Sequence, residues 1–365
     1  MPHTVWSTTN ILVLLLGLTA ILGASAVNSC LDPTDPDYRC QTNGEAFVIL
    51  RHCGITDEDV EAGYFAECLD TAGRSGIGFL WLEDNNLTTL PEQVFEGLET
   101  LQILSLDGNS LTTLPEGLFL GLTAIVELNL NNNKLATLPE GLFQGLSALE
   151  ELLLESNSLS TIPEGLLHGL DALYYLTLRY NELGNLPEGV FQGLTNLYYL
   201  DLDSNSLSDL PEVVFQGLTA LHWLYLFNNG LNTLPLGIFQ GLPDLRQLSL
   251  EENALTTLPA GIFDGVNILW LKLEGNPLEC LPNTPLLEDK PDVEHGTECG
   301  CSILGVTDNV CGQESCTPGP VGYTCGGTLG TSSPETPAPS TPAPDTTPEP
   351  TPTPSSSPEG KLSGF

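Results

Sequence analysis

The chain has 365 residues, of which 47 are Asp or Glu and nine are Lys or Arg, giving a formal net charge of −38 at neutral pH. That balance excludes partners that need a basic patch, namely nucleic acids and anionic lipid surfaces. Ten cysteines sit outside the central two hundred residues, the distribution expected of an oxidising compartment.

The first element in chain order is an apolar run from Ile11 to Leu22, followed by Ala24-Ser25-Ala26. This is a signal-peptide pattern over residues 1–26, with cleavage after Ala26, although its positive start is reduced to the amino terminus and His3. The run is too short to cross a bilayer and no later segment is long enough, so no membrane span is expected in this chain. Residues 27–76 carry Cys30, Cys40, Cys53 and Cys68 and read as an N-terminal cap.

From 77 to 276 a 24-residue unit recurs, LxxLxLxxNxLxxLPxGxFxGLxx. Its asparagine returns at Asn85, Asn109, Asn133, Asn157, Asn181, Asn205, Asn229 and Asn253, with Asn276 one residue early in a short ninth unit. A fixed period of this length with LxLxxN is a leucine-rich repeat. Alternation around Leu104-x-Leu106 is strand periodicity. The asparagine can donate and accept where the chain leaves the strand, so the asparagines are expected to stack as a structural ladder. Leu114-Pro115 stops the inner segment, and Pro suits the first turn of a short outer helix. Phe95, Phe119, Phe143, Phe191, Phe215, Phe239 and Phe263 should form one stacked spine, interrupted by Leu167. One unit cannot bury its own apolar face, so the expected fold is an α/β solenoid: a curved, right-handed leucine-rich repeat coil with a concave parallel β-sheet. The column Glu92, Glu116, Glu140, Glu164, Glu188 and Glu212 stacks like charges on the outer side, partly offset by helix N-termini. Calcium along it stays open, but carboxylates without loop geometry do not make a site.

Residues 277–328 hold Cys280, Cys299, Cys301, Cys311, Cys316 and Cys325, a C-terminal cap. A solenoid exposes a bare cross-section at each end, and disulfide-rich caps would cover both. Four and six cysteines allow 3 and 15 pairings, and the spacing does not choose among them. No CxxC pair occurs and His295 is the one nearby imidazole, so no metal is assigned. Residues 329–365 are rich in Ser, Thr and Pro and read as a disordered stalk, O-glycosylated or a plain linker. No hydrophobic tail for a GPI anchor follows, which leaves release or a chain that continues past Phe365. Asn86-Leu87-Thr88 is an N-glycosylation sequon at Asn86.

Alternation sends three columns of side chains onto the concave face. Aromatic residues crowd three adjacent units there: Tyr174, Tyr175, Tyr180, Tyr198, Tyr199, Trp223, Tyr225 and Phe227, with His222 beside them. Between residues 75 and 279 the basic residues are Lys134, Arg179, Arg246 and Lys272, and the last three are assigned to this face. Exposed Tyr, Trp and Arg dominate interface hot spots, so these residues with Asp201 form the candidate ligand surface. The competing reading is cross-strand packing among the aromatics, with Arg179 paired to Asp201 or Asp203.

The unit LPxGxFxGLxxLxxLxLxxNxL resembles the extracellular repeats of lamprey variable lymphocyte receptors and Toll-type receptors, and of secreted repeat proteins of the animal matrix. The likeness covers residues 77–279 and implies recognition of protein or glycan on the concave face. Asn276-Pro277-Leu278-Glu279-Cys280 resembles the opening of that family's C-terminal cap, after which the match fails at Cys280-Leu281-Pro282. The expected function is a secreted recognition protein for a protein or glycan ligand. The alternatives are a structural or adhesive matrix component, or a receptor ectodomain separated from its anchor. No catalytic set and no cofactor site is expected; Asp201 near His222 is the one pairing that merits a test.

Overall fold

The computed structural model describes residues 47–278 and, as backbone, two short strands at 316–319 and 322–325. The expected signal peptide over residues 1–26, residues 329–365, Cys30, Cys40, Cys280, Cys299, Cys301 and Cys311 lie outside the described residues. Ten parallel strands of three residues each pair in chain order in one sheet. They are β1 (Phe47–Ile49), β2 (Phe79–Trp81), β3 (Ile103–Ser105), β4 (Glu127–Asn129), β5 (Glu151–Leu153), β6 (Tyr175–Thr177), β7 (Tyr199–Asp201), β8 (Trp223–Tyr225), β9 (Gln247–Ser249) and β10 (Trp270–Lys272). The register places equivalent positions side by side, as in Glu127 beside Glu151 and Tyr175 beside Tyr199. The middle leucine of each strand and the leucine two residues on, such as Leu104 and Leu106, are fully buried.

Each asparagine of the repeat is buried or half-buried and stitches two units together. Asn133 Nδ2 donates to the carbonyls of Leu106 (3.0 Å) and Leu130 (3.2 Å), while its Oδ1 accepts from Leu111 N–H (3.0 Å). The same pattern recurs from Asn109 to Asn276, and Asn85 extends it into the cap by accepting from Ile55 N–H and donating to the Leu50 carbonyl. The residue just before this asparagine takes a left-handed conformation, φ 53° at Asp84 and 67° at Gly108, which aims the asparagine into the coil.

The phenylalanine column is buried throughout and stacks in three runs. Phe95, Phe119 and Phe143 stack at 6.2 Å, Phe191 on Phe215 at 6.1 Å and Phe239 on Phe263 at 6.0 Å. The outer segment differs from expectation. It is a series of tight turns with bonds such as Leu118 N–H to the Pro115 carbonyl and Leu120 N–H to the Gly117 carbonyl, both three residues back, and no α-helix forms. The expected help from helix N-termini for the glutamate column is therefore missing. Instead Glu92, Glu116, Glu140, Glu164 and Glu212 each curl over the glycine of the next unit, where a Cβ would collide with the carboxylate.

The N-terminal cap adds β1 to the sheet and two helices, α1 (Asp57–Glu61) and α2 (Tyr64–Ala72). Thr56 N–H and its hydroxyl both donate to Asp59 at the start of α1 (2.8 and 2.7 Å), the logic of a capping box. Cys53 and Cys68 are both disulfide-bonded. Asp57 latches the cap to the first repeat by accepting from Thr88 N–H (2.8 Å), Thr89 N–H (3.2 Å) and the Thr88 hydroxyl. Partial burial opposes the charged form of Asp57, but these bonds outweigh it and lower its pKa. Asp57→Ala is expected to cost about 1–2 kcal/mol, read as faster amide exchange confined to β1 and α1.

The strands at Cys316–Gly319 (β11) and Gly322–Cys325 (β12) pair antiparallel, with Cys316 opposite Cys325. Among the described residues no helix is long and apolar enough to cross a membrane.

Candidate functional site

The concave face of β5 to β9 gathers most of the expected ligand residues into two layers. One layer lies on the strands themselves. Tyr175 stacks on Tyr199 at 4.2 Å, and Tyr199 meets Trp223 edge-on at 5.7 Å and Tyr225 at 5.3 Å. The second runs along the residues just before each strand: Tyr174 on Tyr198 at 4.9 Å, then Tyr198 on His222 at 4.2 Å. Trp223 leans between the layers, 5.6 Å from Tyr198. The stacking follows from parallel in-register strands, which bring identical side chains within cross-strand reach. Cross-strand packing and exposure coexist: Trp223 and Tyr174 each keep 37% of their surface, while Tyr175, Tyr198, Tyr199, Tyr225 and Phe227 are half-buried.

Beneath the rings lies a pair of carboxylates. Asp201 is 5% exposed and Asp203 8%. Asp201 accepts from the Tyr199 hydroxyl (3.1 Å) and Asp203 N–H (2.9 Å), and Asp203 accepts from Phe227 N–H (2.6 Å). Burial, reinforced by the neighbouring Asp201 charge, lifts the Asp203 carboxyl to about 7 against the pull of the Phe227 amide and Arg179. Asp201 is raised by burial too, with its hydrogen bonds opposing. The same acidic ground works on the phenols: burial, then Asp201, raises Tyr199 and brings Tyr225 to about 12. Along β4 and β5, burial and the facing Glu127 raise Glu151 to about 7, and burial raises Glu127.

Three expectations are corrected here. Arg179 does not pair with Asp201 or Asp203 within 4.0 Å. Its Nη2 donates to the Tyr180 hydroxyl at 2.9 Å, and its guanidinium carbon lies 4.5 Å from that ring. Tyr180 can receive it because it sits at φ 53°, 46% exposed, on the rim just past the strand. Other units put Asp, Gly, Asn, Ser or Glu at that position, and a bulky aromatic there is strained. Arg246 continues the row of Tyr174, Tyr198 and His222, but its guanidinium is not free. It precedes β9, and its guanidinium is tied back to the carbonyls of Pro243 (3.0 Å) and Leu245 (3.2 Å) and to Asp244 (3.3 Å). Asp201 and His222 do not form a catalytic pair. His222 Nδ1 lies 2.8 Å from the Ala220 carbonyl, and both Asp201 oxygens are engaged elsewhere.

Sequence reasoning assigned the aromatic columns but not Asp203, Glu127 or Glu151 as members of the site. The signal was present: acidic residues in concave columns flanked by aromatic ones must lose solvent when the rings close over them. Asn86 is exposed, and Thr88 of its sequon is held by Asp57. Among the described residues no cluster of three or more His, Cys, Asp or Glu could hold a metal ion.

Comparison with known proteins agrees with this geometry. The leucine rich repeat family matches at residues 80–135, 125–183, 171–231 and 221–278. No curated protein matches the chain. Among solved structures, a leucine-rich repeat protein of Leptospira interrogans is 34% identical, covering 60% of this chain and 55% of that one at a TM-score of 0.52. Toll, in its complex with Spatzle from Drosophila, is 26% identical over 57% of this chain and 31% of that one, TM-score 0.51. TLR13, in its complex with ssRNA13, is 28% identical over 62% of this chain and 37% of that one, TM-score 0.53. The similarity thus spans 55% of the first of these chains and a smaller share of the other two. The repeat matches run without a break from 80 to 278, over half of the 365 residues, and the chain belongs to the leucine-rich repeat family.

Proposed function

We propose that the protein is a secreted recognition module that binds a protein or glycan ligand on its concave face. The observation that carries this reading is the contiguous aromatic surface on β6 to β8, on a parallel sheet that none of the described residues covers on that side. Parallel sheets ordinarily have both faces covered, and large aromatic rings left at the surface mark contact sites. The ring hydroxyls and the Trp223 edge supply hydrogen bonds and area from side chains already held by stacking, so little side-chain entropy remains to be lost on binding. The signal-peptide pattern and the cysteine distribution support an extracellular location. Toll with Spatzle and TLR13 with ssRNA13 are relatives caught in complexes. The net charge of −38 argues for a protein or glycan over a nucleic acid in this chain.

The test is a screen of the full chain and of the Tyr175→Ala/Tyr199→Ala/Trp223→Ala/Tyr225→Ala variant against arrays of secreted proteins and glycans. Four hot-spot aromatics removed together should cost about 100-fold or more in affinity, so ligands retained by the wild type are lost by the variant. Identical array profiles for the two proteins, with both shown folded by circular dichroism, overturn the reading.

A further inference from the structure

Resting on that reading, we propose that the partner on the concave face is a cationic protein segment, its lysine or arginine side chains received by the carboxylates that border the aromatic rings. Three independent observations lead there. First, the rings spend their faces on one another. Tyr175 and Tyr199 are 4.2 Å apart and nearly parallel, as are Tyr198 and His222, so what most of them offer a ligand is edges and hydroxyls. A sugar that binds by stacking needs an open ring face. Edges and hydroxyls suit hydrogen bonding to a polypeptide.

Second, five acids on this face have no cation within ion-pair distance. Glu127 and Glu151 stand side by side in register on β4 and β5, and Glu151 adjoins Tyr175 on β6. Glu155, Asp201 and Asp203 lie on the next two columns. Among the described residues, no Lys or Arg approaches any of these five carboxylates within 4.0 Å. The cations nearest in the fold are otherwise engaged: Arg179 with Tyr180, Lys272 with Glu251 at 3.3 Å, and Arg51 with Glu83. Third, an acceptor waits there without a donor. Glu151 Oε2 is sealed from solvent and has no hydrogen-bond partner. Buried acceptors are nearly always satisfied, so this one marks a place where a donor is missing.

The electrostatics follow. Glu151 faces Glu127 on β4, its neighbour Glu150, and Tyr174 and Tyr175 at β6. Asp203 faces Asp201 on β7, Arg179 beyond β6, Tyr225 on β8 and Glu251 beyond β9. Burial and mutual repulsion hold both carboxyls near 7. An arriving ammonium or guanidinium would favour their charged forms and release protons, so affinity should rise from pH 5.5 to 8.

The probe is a fluorescein-labelled octalysine peptide, with octaglutamate and a chitin-derived tetrasaccharide as controls, titrated against the full chain at physiological salt. A protein this acidic attracts lysine everywhere, so two variants that each replace two carboxyls by amides are compared. Glu151→Gln/Asp203→Asn on the concave face should weaken octalysine at least about tenfold, whereas Glu116→Gln/Glu140→Gln on the outer column should change it less than about twofold. Tighter binding at pH 8 than at 5.5 should vanish in the concave variant alone. Should that variant not fold, Glu127→Gln/Glu155→Gln neutralises two other carboxyls of the same face. Equal loss in the two variants overturns the cationic partner, as does tetrasaccharide binding stronger than octalysine binding. If the tetrasaccharide binds and the aromatic quadruple variant loses it, the concave-face reading stands without the cationic partner. If the quadruple variant leaves every probe unaffected, both fall.

Discussion

Asn133→Ala should destabilise the coil by about 3–5 kcal/mol, because it strands several buried backbone groups at once. The Leu111 N–H loses its acceptor, and the carbonyls of Leu106, Leu130 and Asn131 lose a donor, at a site 7% exposed where water cannot substitute. The neighbouring residue supplies the contrast. Asn132 is exposed and sits at φ 51°, and its side chain donates to the Asp107 carboxylate (2.8 Å), so Asn132→Gly, which keeps the backbone bond to Glu155, should stay within about 0.5 kcal/mol of the wild type. Urea unfolding followed by far-ultraviolet dichroism measures both. In a stack whose units touch only their neighbours, the first substitution should also split the transition in two, since coupling across the Asn133 rung is what joins the halves. A single transition with an unchanged midpoint would contradict the ladder as the source of cohesion.

The molecule should also be more stable at pH 5 than at pH 8, by on the order of 5 °C in Tm. The sign follows from Glu151 and Asp203, both raised to about 7 in the folded chain against an ordinary carboxyl value near 4 when unfolded. Between those values the folded state holds more protons, so the free energy of unfolding falls as pH rises through the window. Asp57 acts oppositely. Its lowered pKa contributes stability above the unfolded value that is lost on further acidification, which places the optimum near pH 5 rather than lower. General repulsion among 47 acids slopes the same way, so the diagnostic is the difference between proteins. Glu151→Gln/Asp203→Asn should flatten the profile between pH 5 and 8 and raise Tm at pH 8. An equally steep profile in the variant would show that these two carboxyls are not the source.

What could be read in advance was whatever the 24-residue period repeats. The inward leucines, the asparagine rungs, the phenylalanine column with its break at Leu167 and the aromatic crowding at Tyr175, Tyr199 and Trp223 all follow from position within the unit. What escaped depends on relations between side chains of different units. Arg179 and Asp203 share a column, which suggested an ion pair. The rotation of Arg179 onto the strained Tyr180 depends on a backbone angle that the pattern LxLxxN does not specify for tyrosine. Arg246 stands in the row of Tyr174, Tyr198 and His222, but the period does not tell that carbonyls of its own turn capture its guanidinium. The outer helix failed even in the units with Gln93 and Val213 two residues past the Pro; what every segment shares is a glycine at positive φ near its end, from Gly97 to Gly265, which favours successive turns over a continuous helix. β1 escaped because Phe47-Val48-Ile49 carries no asparagine at the spacing of the unit.

Three of the four tryptophans, Trp81, Trp223 and Trp270, stand on the same side of the one sheet, and they differ in access: 7%, 37% and 47%. Tyr198 and Tyr199 lie within 6 Å of the Trp223 indole, close enough to pass it the light they absorb. The proposed binding wall is thus its own optical reporter: a guest that dries Trp223 should shift the emission to the blue without any dye attached.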